Sequence, residues 1–276
     1  MNAKLEPGLY IVATPIGNLS DLSHRAATIL SAADVIAVED SRVTAKLLAH
    51  IKIRKPMIPY HDHNGDRVRP GLVDRMADEV VALVSDAGTP LISDPGYKLV
   101  RAARAAGRNV VTVPGPCAAI AGLTLAGLPT DRFLFIGFLP SKAKARSEAI
   151  AEVAGVRATL LLYESGPRLG ATLAALADGL GDRDAGVARE ITKRFEECVT
   201  APLSDLAARY ADAPPKGEIV IIVAPPREAA PASEADGDAA LIEALTRLAP
   251  ARAASEVAKV TGLDRRMLYQ RALALK

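Results

Sequence analysis

The chain has 276 residues, half of them apolar and 4% aromatic, with no Trp. That length predicts about two domains with ample core, and the many Ala residues favour helices packed closely on their neighbours. Basic and acidic residues, 34 and 32, leave a net charge of +2, which excludes a chain-wide basic field for wrapping nucleic acid; six Tyr and four Phe exclude a chain built mainly as a base-stacking sheet.

Short β-branched runs alternate with Ala/Leu-rich stretches, the pattern of an α/β protein with mostly parallel sheets. Leu9–Ala13 is the first predicted strand, followed by an amphipathic stretch over Asp21–Ser31. Strands at Asp34–Val38, Met57–Tyr60, Val80–Val84 and Asn109–Val113 complete a set of five, with helices near Arg42–His50 and Asp66–Ala77 and one opened by Pro95. Asn109–Thr130 carries no charge and is long enough to span a membrane, but Pro114-Gly115-Pro116 interrupts it; it reads as strand, tight turn and buried helix. Beyond Gly127-Leu128-Pro129, strands are expected at Phe133–Phe138, Thr159–Tyr163, Gly186–Arg189, Glu196–Thr200 and Glu218–Val223, the last three in an antiparallel portion. Helices near Ser141–Val153, Arg168–Leu176 and Leu203–Tyr210 lie between them.

Two α/β lobes result, residues 1–118 and 119–224. Pro225–Asp238 is Pro/Ala/acidic without periodicity and reads as a linker. Residues 239–276 hold two or three short helices around Thr261-Gly262-Leu263, in helix-turn-helix spacing, with seven basic against three acidic residues. Cys117 and Cys198 stand far apart without a C-x-x-C partner, which excludes a cysteine-rich zinc site and suits a reducing cytosol. The N-terminus lacks a signal-peptide pattern, so a soluble, cytoplasmic protein without membrane contact is expected.

Ligands of open α/β sheets bind beyond the carboxyl ends of the strands, which points to the segment after each strand. These are Thr14–Leu19, Glu39–Arg42, His61–Asn64, Ser85–Gly96 and Pro114–Ala118, all rich in Gly, Pro, Asp or hydroxyl groups. Turn and cap chemistry accounts for any one of them. The long Ser85–Gly96 loop, SDAGTPLISDPG, offers backbone N–H and C=O groups with little side-chain bulk, which suits a flat, mixed polar and apolar cofactor. No G-x-G-x-x-G follows a predicted strand and no G-x-x-x-x-G-K-[ST] occurs, which disfavours a nicotinamide or class I methyltransferase glycine loop and excludes a P-loop. His61-x-His63 with Asp62 could suggest a metal, but alternate residues of an extended segment face opposite sides, so none is expected.

In order along the chain, TPIGNL, EDSR, HDHN, SDAGTPLISDPG, VPGPCA, YESGPRL, AREITKRFEE and KGEIVIIV resemble the tetrapyrrole methylase superfamily, over roughly residues 8–224. Within it they are similar to the bacterial 16S rRNA (cytidine-2′-O)-methyltransferase branch, whose tail the C-terminal helices also resemble. The resemblance implies a class III fold with S-adenosylmethionine between two α/β lobes, a homodimer, and methylation of the ribose 2′-hydroxyl of cytidine 1402 in 16S rRNA of the small ribosomal subunit. Carried over by motif, the cofactor positions are Pro15, Asp86, Ala87, Gly88, Thr89, Cys117, Ala118, Tyr163 and Ala188. Three departures stand out. Cys117 replaces a small hydroxyl and is a weaker hydrogen-bond partner. ESPHR reads Glu164-Ser165-Gly166-Pro167-Arg168, which loses a His while Arg168 still aligns. Phe195 stands where a His or another ring is common, so it supplies no base.

Sulfonium methyl transfer needs in-line positioning and is helped by a group that takes the hydroxyl proton. Rim candidates are Glu39, Asp40, His61, Asp94, Glu190 and Lys193, with Glu39, Asp40 and His61 taken as catalytic. Arg42, Asn64, Lys142, Lys144, Arg168 and Lys193 are taken as substrate-binding. Positive charge for RNA phosphates gathers at Arg42, Lys46, Lys52, Arg54 and Lys55, and again at Lys142, Lys144 and Arg146. The rival readings are a methyltransferase of the same superfamily acting on a tetrapyrrole or a protein side chain, and a non-catalytic RNA-binding assembly factor.

Overall fold

The computed structural model describes residues 5–227 and 233–275. They divide into two compact units, residues 1–226 and 227–276. The first unit opens with β1 (Gly8–Val12), α1 (His24–Ala32), β2 (Val35–Val38), α2 (Ser41–His50) and β3 (Met57–Pro59). It continues with α3 (Gly65–Arg75), β4 (Val80–Val84), α4 (Tyr97–Ala105), β5 (Val110–Val113) and α5 (Ala118–Ala126). These strands form one parallel sheet in the order β3-β2-β4-β1-β5. Parallel pairing requires a crossover between successive strands, and each helix supplies one. With helices on both faces, every residue of β2 and β4 is buried, which is why these strands read as unbroken apolar runs.

A second sheet follows, built from β6 (Phe133–Phe138), α6 (Ala143–Val153), β7 (Thr159–Ser165), α7 (Gly166–Leu180), β8 (Asp184–Arg189), β9 (Glu197–Pro202), α8 (Leu203–Tyr210) and β10 (Glu218–Val223). Its order is β6-β7-β10-β8-β9; β6 and β7 are parallel, and the remaining pairs antiparallel as expected. One face packs on α6, α7 and α8 through Ile150, Leu169, Leu173 and Leu206. The other is covered by α5, whose Ala119, Leu123 and Ala126 meet Leu161, Ala188, Val220 and Ile222. The small residues of α5 thus let the helix that leaves the first sheet press directly on the second.

The second unit is a three-helix module, α9 (Glu234–Leu245), α10 (Pro250–Thr261) and α11 (Arg265–Ala274), around Leu241, Ala253, Ala254, Val257 and Leu268. Gly262 ends α10 in the left-handed region at φ 73°, and Asp264 caps α11, giving the turn expected between them.

Two sequence expectations need correction. The linker reading of 225–238 extends too far, because Ser233 and Asp236 form a capping box that starts α9 at Glu234; residues 228–232 lie outside the described set. α9 therefore brings three more acids into a module read as strongly basic, and Glu234 and Asp238 hold the Arg271 guanidinium. Pro95 does not open a helix: α4 starts at Tyr97 with Gly96 as its N-cap. No helix among the described residues is long and apolar enough to cross a membrane, and the uncharged 109–130 stretch forms β5, a turn and α5.

Candidate active site

The carboxyl ends of β2, β4, β5, β6, β7 and β8 converge on one cavity of about 260 Å3 between the two sheets. From the first lobe come Ile16, Glu39, the loop Asp86–Thr89, Ile92, Ser93, Asp94, Cys117 and Ala118. The second supplies Phe138, Tyr163, Glu190, Ile191, Lys193, Glu218 and Val220.

The loop after β4 is held by paired backbone bonds between Thr14 and Gly88, at 2.8 and 3.0 Å, and by the Thr89 hydroxyl donating to the Pro116 carbonyl at 3.0 Å. Gly88 sits at φ 80°, and a Cβ there would lie 3.3 Å from Ile16 Cγ2. Its backbone can therefore line the cavity where a side chain would fill it. Leu91 and Ser93 also take positive φ, 76° and 62°, which β-branch-free side chains adopt only against a backbone cost. Across the cavity, the Tyr163 hydroxyl accepts the Ala119 N–H at 3.1 Å, at the N-terminus of α5. Burial pushes this phenol up to about 12, with Cys117 beside it. The Tyr163 ring packs on Phe135 and Phe138, at 5.0 and 5.6 Å.

Acids dominate the polar lining. The Glu39 carboxylate accepts the Asp86 N–H at 3.4 Å, and Asp86 in turn accepts the Asp40 N–H at 3.0 Å. Burial raises the pKa of both Glu39 and Asp86. Asp94 is pushed up to about 6, first by burial and further by Glu39, Asp86 and Glu218. Lys193 is the cation on the wall, and its Nζ is 3.0 Å from Glu190.

Seven of the nine cofactor positions expected by motif, Asp86, Ala87, Gly88, Thr89, Cys117, Ala118 and Tyr163, line this cavity. Pro15 does not, its neighbour Ile16 taking the place. Ala188 is fully buried in β8 beneath the cavity, packed with Ala119 and Val220.

Among the catalytic expectations, only Glu39 reaches the cavity. Asp40 caps α2 and accepts both the Arg42 N–H and its guanidinium, and these bonds hold its carboxyl down to about 2. His61 lies in a separate crevice with Tyr97 and Lys98. Its N–H donates to Asn64 Oδ1 at 2.9 Å while Asn64 Nδ2 donates to the Pro59 carbonyl at 2.9 Å, so Asn64 closes a turn. Because that segment turns rather than extends, the rings of His61 and His63 meet edge-on at 5.9 Å instead of diverging.

Of the substrate-binding expectations, Lys193 lines the cavity, and Lys142 and Lys144 stand exposed at the start of α6, just beyond Phe138. Arg42 is at the rim but paired with Asp40. Arg168 turns inward: it donates to the Leu139 carbonyl at 2.6 Å and pairs with the buried Glu164 at 3.2 Å. Lys52, Arg54 and Lys55 lead into the amino end of β3, at the edge of the sheet opposite the cavity.

Glu218, Ile219 and Val220 were missed. The strand-end rule points only to carboxyl ends, whereas β10 runs antiparallel to β7 and β8 and brings its amino end to the cavity. The altered ESGPR motif has a local explanation. A Cβ at position 166 would lie 1.6 Å from the Pro215 carbonyl oxygen, so only Gly fits there. Phe195, the third departure, is 66% exposed and carries Arg194 over its ring.

The family model of the tetrapyrrole (corrin/porphyrin) methylases matches residues 8–207, so fold and cavity define a methylase of that two-lobed class. A second model, the RsmI C-terminal HTH domain, matches residues 231–276. The chain is 56% identical to a ribosomal RNA small subunit methyltransferase I of Erythrobacter litoralis, covering 99% of this chain and 96% of that one. It is 48% identical to the protein of the same name from Mesorhizobium japonicum, over 99% and 93%. The chain belongs to the ribosomal RNA small subunit methyltransferase I family. Its fold is shared by a Thermus thermophilus uroporphyrin-III C-methyltransferase solved with S-adenyl homocysteine, at a TM-score of 0.54 and 21% identity, covering 79% of this chain and 97% of that one.

Proposed function

We propose that the chain methylates the ribose 2′-hydroxyl of cytidine 1402 in 16S rRNA, acting on the small ribosomal subunit in the cytoplasm as a homodimer. The methyl donor is S-adenosylmethionine, a sulfonium that supplies an electrophilic methyl group when bound. The cavity fits such a group by its chemistry. Glu39, Asp86 and Glu190 complement the positive sulfonium and ammonium, and the Ala87–Gly88 backbone leaves room for a flat base between Ile16, Ile191 and Tyr163. Asp86 to Thr89, Cys117, Ala118 and Tyr163 would hold it. Lys142, Lys144 and Lys193 are the cations available to RNA phosphates beside the acceptor hydroxyl.

The observation that carries the choice of acceptor is the sign of the cavity. Six carboxylates, of which Glu164 is paired with Arg168, against one lysine, itself paired with Glu190, repel a polycarboxylate macrocycle and accept a neutral hydroxyl. Transfer of labelled methyl is measured in parallel on small subunits, naked 16S rRNA and uroporphyrinogen. Label is expected on the subunit alone, at a nucleotide whose 3′ linkage resists alkali. Label on uroporphyrinogen overturns the reading. Subunit affinity should also fall steeply with salt, and Lys142→Ala and Lys144→Ala should each reduce the log–log slope by about one.

A further inference from the structure

The acids of the cavity differ in how much of their hydrogen-bonding capacity is already used. Glu39 accepts the Asp86 N–H, Asp86 accepts the Asp40 N–H, and Glu190 is paired with Lys193. Glu164 is occupied by the Ser165 N–H, the Thr172 hydroxyl and Arg168. Asp94 and Glu218 line the cavity with no ion pair among the described residues, but Glu218 is exposed whereas Asp94 is half-buried. Asp94 follows the positive-φ residues Leu91 and Ser93 and has the Ser85 hydroxyl beside it. The acids that act on it are Glu39 and Asp86 from the first lobe and Glu218 from the second, with the Tyr163 phenol nearby and Lys193 on the same cavity wall, paired with Glu190.

We propose that Asp94 is the catalytic proton acceptor, taking the proton of the acceptor hydroxyl at a carboxylate oxygen left free of other partners. This rests on the reading of the chain as a 2′-O-methyltransferase. The hydroxyl oxygen forms its new bond to the methyl carbon as the carbon–sulfur bond breaks and its pair returns to sulfur. The O–H proton passes to Asp94, and then to solvent. Asp94 suits this task because burial and the neighbouring acids Glu39, Asp86 and Glu218 keep its basicity near neutrality, where a general base is most effective. Asp40, tied to Arg42, is too weak a base, and Glu39 is anchored to the loop backbone.

The test is single-turnover methylation of small subunits by wild type, Asp94→Asn and Asp94→Glu, from pH 5 to 9, beside donor binding by calorimetry and carboxyl titration by 13C NMR. The Asn variant should lose about 100-fold in rate with unchanged donor affinity, and its residual rate should lack the acid limb. The Glu variant should recover part of the rate with a displaced limb, and the NMR titration absent from Asp94→Asn should lie near pH 6 in the free protein. A wild-type rate and acid limb in Asp94→Asn overturn the proposal alone. So does loss of donor affinity in that variant, which makes Asp94 a donor-binding group. A wild-type protein that binds donor yet methylates no subunit overturns the functional reading, and the proposal with it.

Discussion

Arg168 aligns with a residue expected to touch substrate, yet its structural surroundings assign it another task, and one substitution separates the two. The Glu164 side chain is 1% exposed and Arg168 is 33% exposed; their contact at 3.2 Å is that buried carboxylate's one ion pair among the described residues. Arg168→Ala leaves the carboxylate with three neutral donors, the Ser165 N–H and the Thr172 hydroxyl at 2.8 Å and the Ser165 hydroxyl at 3.4 Å. It also orphans the Leu139 carbonyl, which accepts from Arg168 at 2.6 Å. Breaking a fully buried pair costs about 3–5 kcal/mol. Solvent access to the Arg end reduces this to about 2–3 kcal/mol, which for a unit of this size lowers Tm by roughly 5–10 °C. Thermal unfolding followed by circular dichroism measures the shift, and Glu164→Gln combined with Arg168→Met should recover part of it. Subunit binding by the folded Arg168→Ala variant should keep the wild-type salt slope. A Tm within about 2 °C of wild type together with a slope reduced by about one would refute the structural assignment and restore a phosphate contact.

Two further outcomes test the cavity itself. Gly88→Val forces a β-branched residue to φ 80° and sets its side chain against Ile16, so calorimetry should show donor affinity weakened at least about tenfold; wild-type affinity would mean the loop backbone does not contact the donor. Asp94 binds its proton more tightly in the fold, about 6, than the ordinary value of 3.8, so its ionisation opposes folding progressively from pH 3.8 to 6 and fully above that. Asp94→Asn should therefore raise Tm more at pH 7.5 than at pH 5, and an equal or negative change at pH 7.5 would contradict the burial of that carboxylate.

The strands were legible because each is a continuous or alternating apolar run bounded by Gly, Pro or Asp, and burial on one or both faces is what such runs encode. Most of the loop that lines the cavity after β4 was legible too, since its Gly, Asp and Pro residues gather directly after a buried strand. What escaped the sequence were properties of partnership and direction. Nothing local tells that Arg168 and Glu164 satisfy each other, that Asp40 is spent on Arg42, or that Asn64 closes its own turn. Such pairs form only when the chain bends back, and a turn reverses the facing expected of an extended segment, as at His61 and His63. Direction misled in two places. β10 enters the cavity by its amino end, and the basic residues Lys52–Lys55 fall at the far edge because α2 carries the chain away from the rim, about 15 Å along ten residues. The capping box at Ser233 was readable in principle, but Asp236 stands at its third position in place of the more familiar Glu.

The two reactants of the proposed transfer make opposed electrostatic demands, and the placement of charge meets them at different depths. A sulfonium is favoured by carboxylates in a partly desolvated cavity, where their field is least screened. An RNA backbone is repelled by the same carboxylates and drawn to lysines in solvent. Glu39, Asp86, Asp94, Glu164, Glu190 and Glu218 line the cavity, while Lys142 and Lys144 lie outside, beyond the strand that ends in Phe138. Such an arrangement lets phosphates rest on the rim and admits only the uncharged sugar edge to the interior. The near-zero net charge of the chain is then a sum of two imbalances, and removing Glu39 or Asp86 should tighten RNA binding while weakening donor binding.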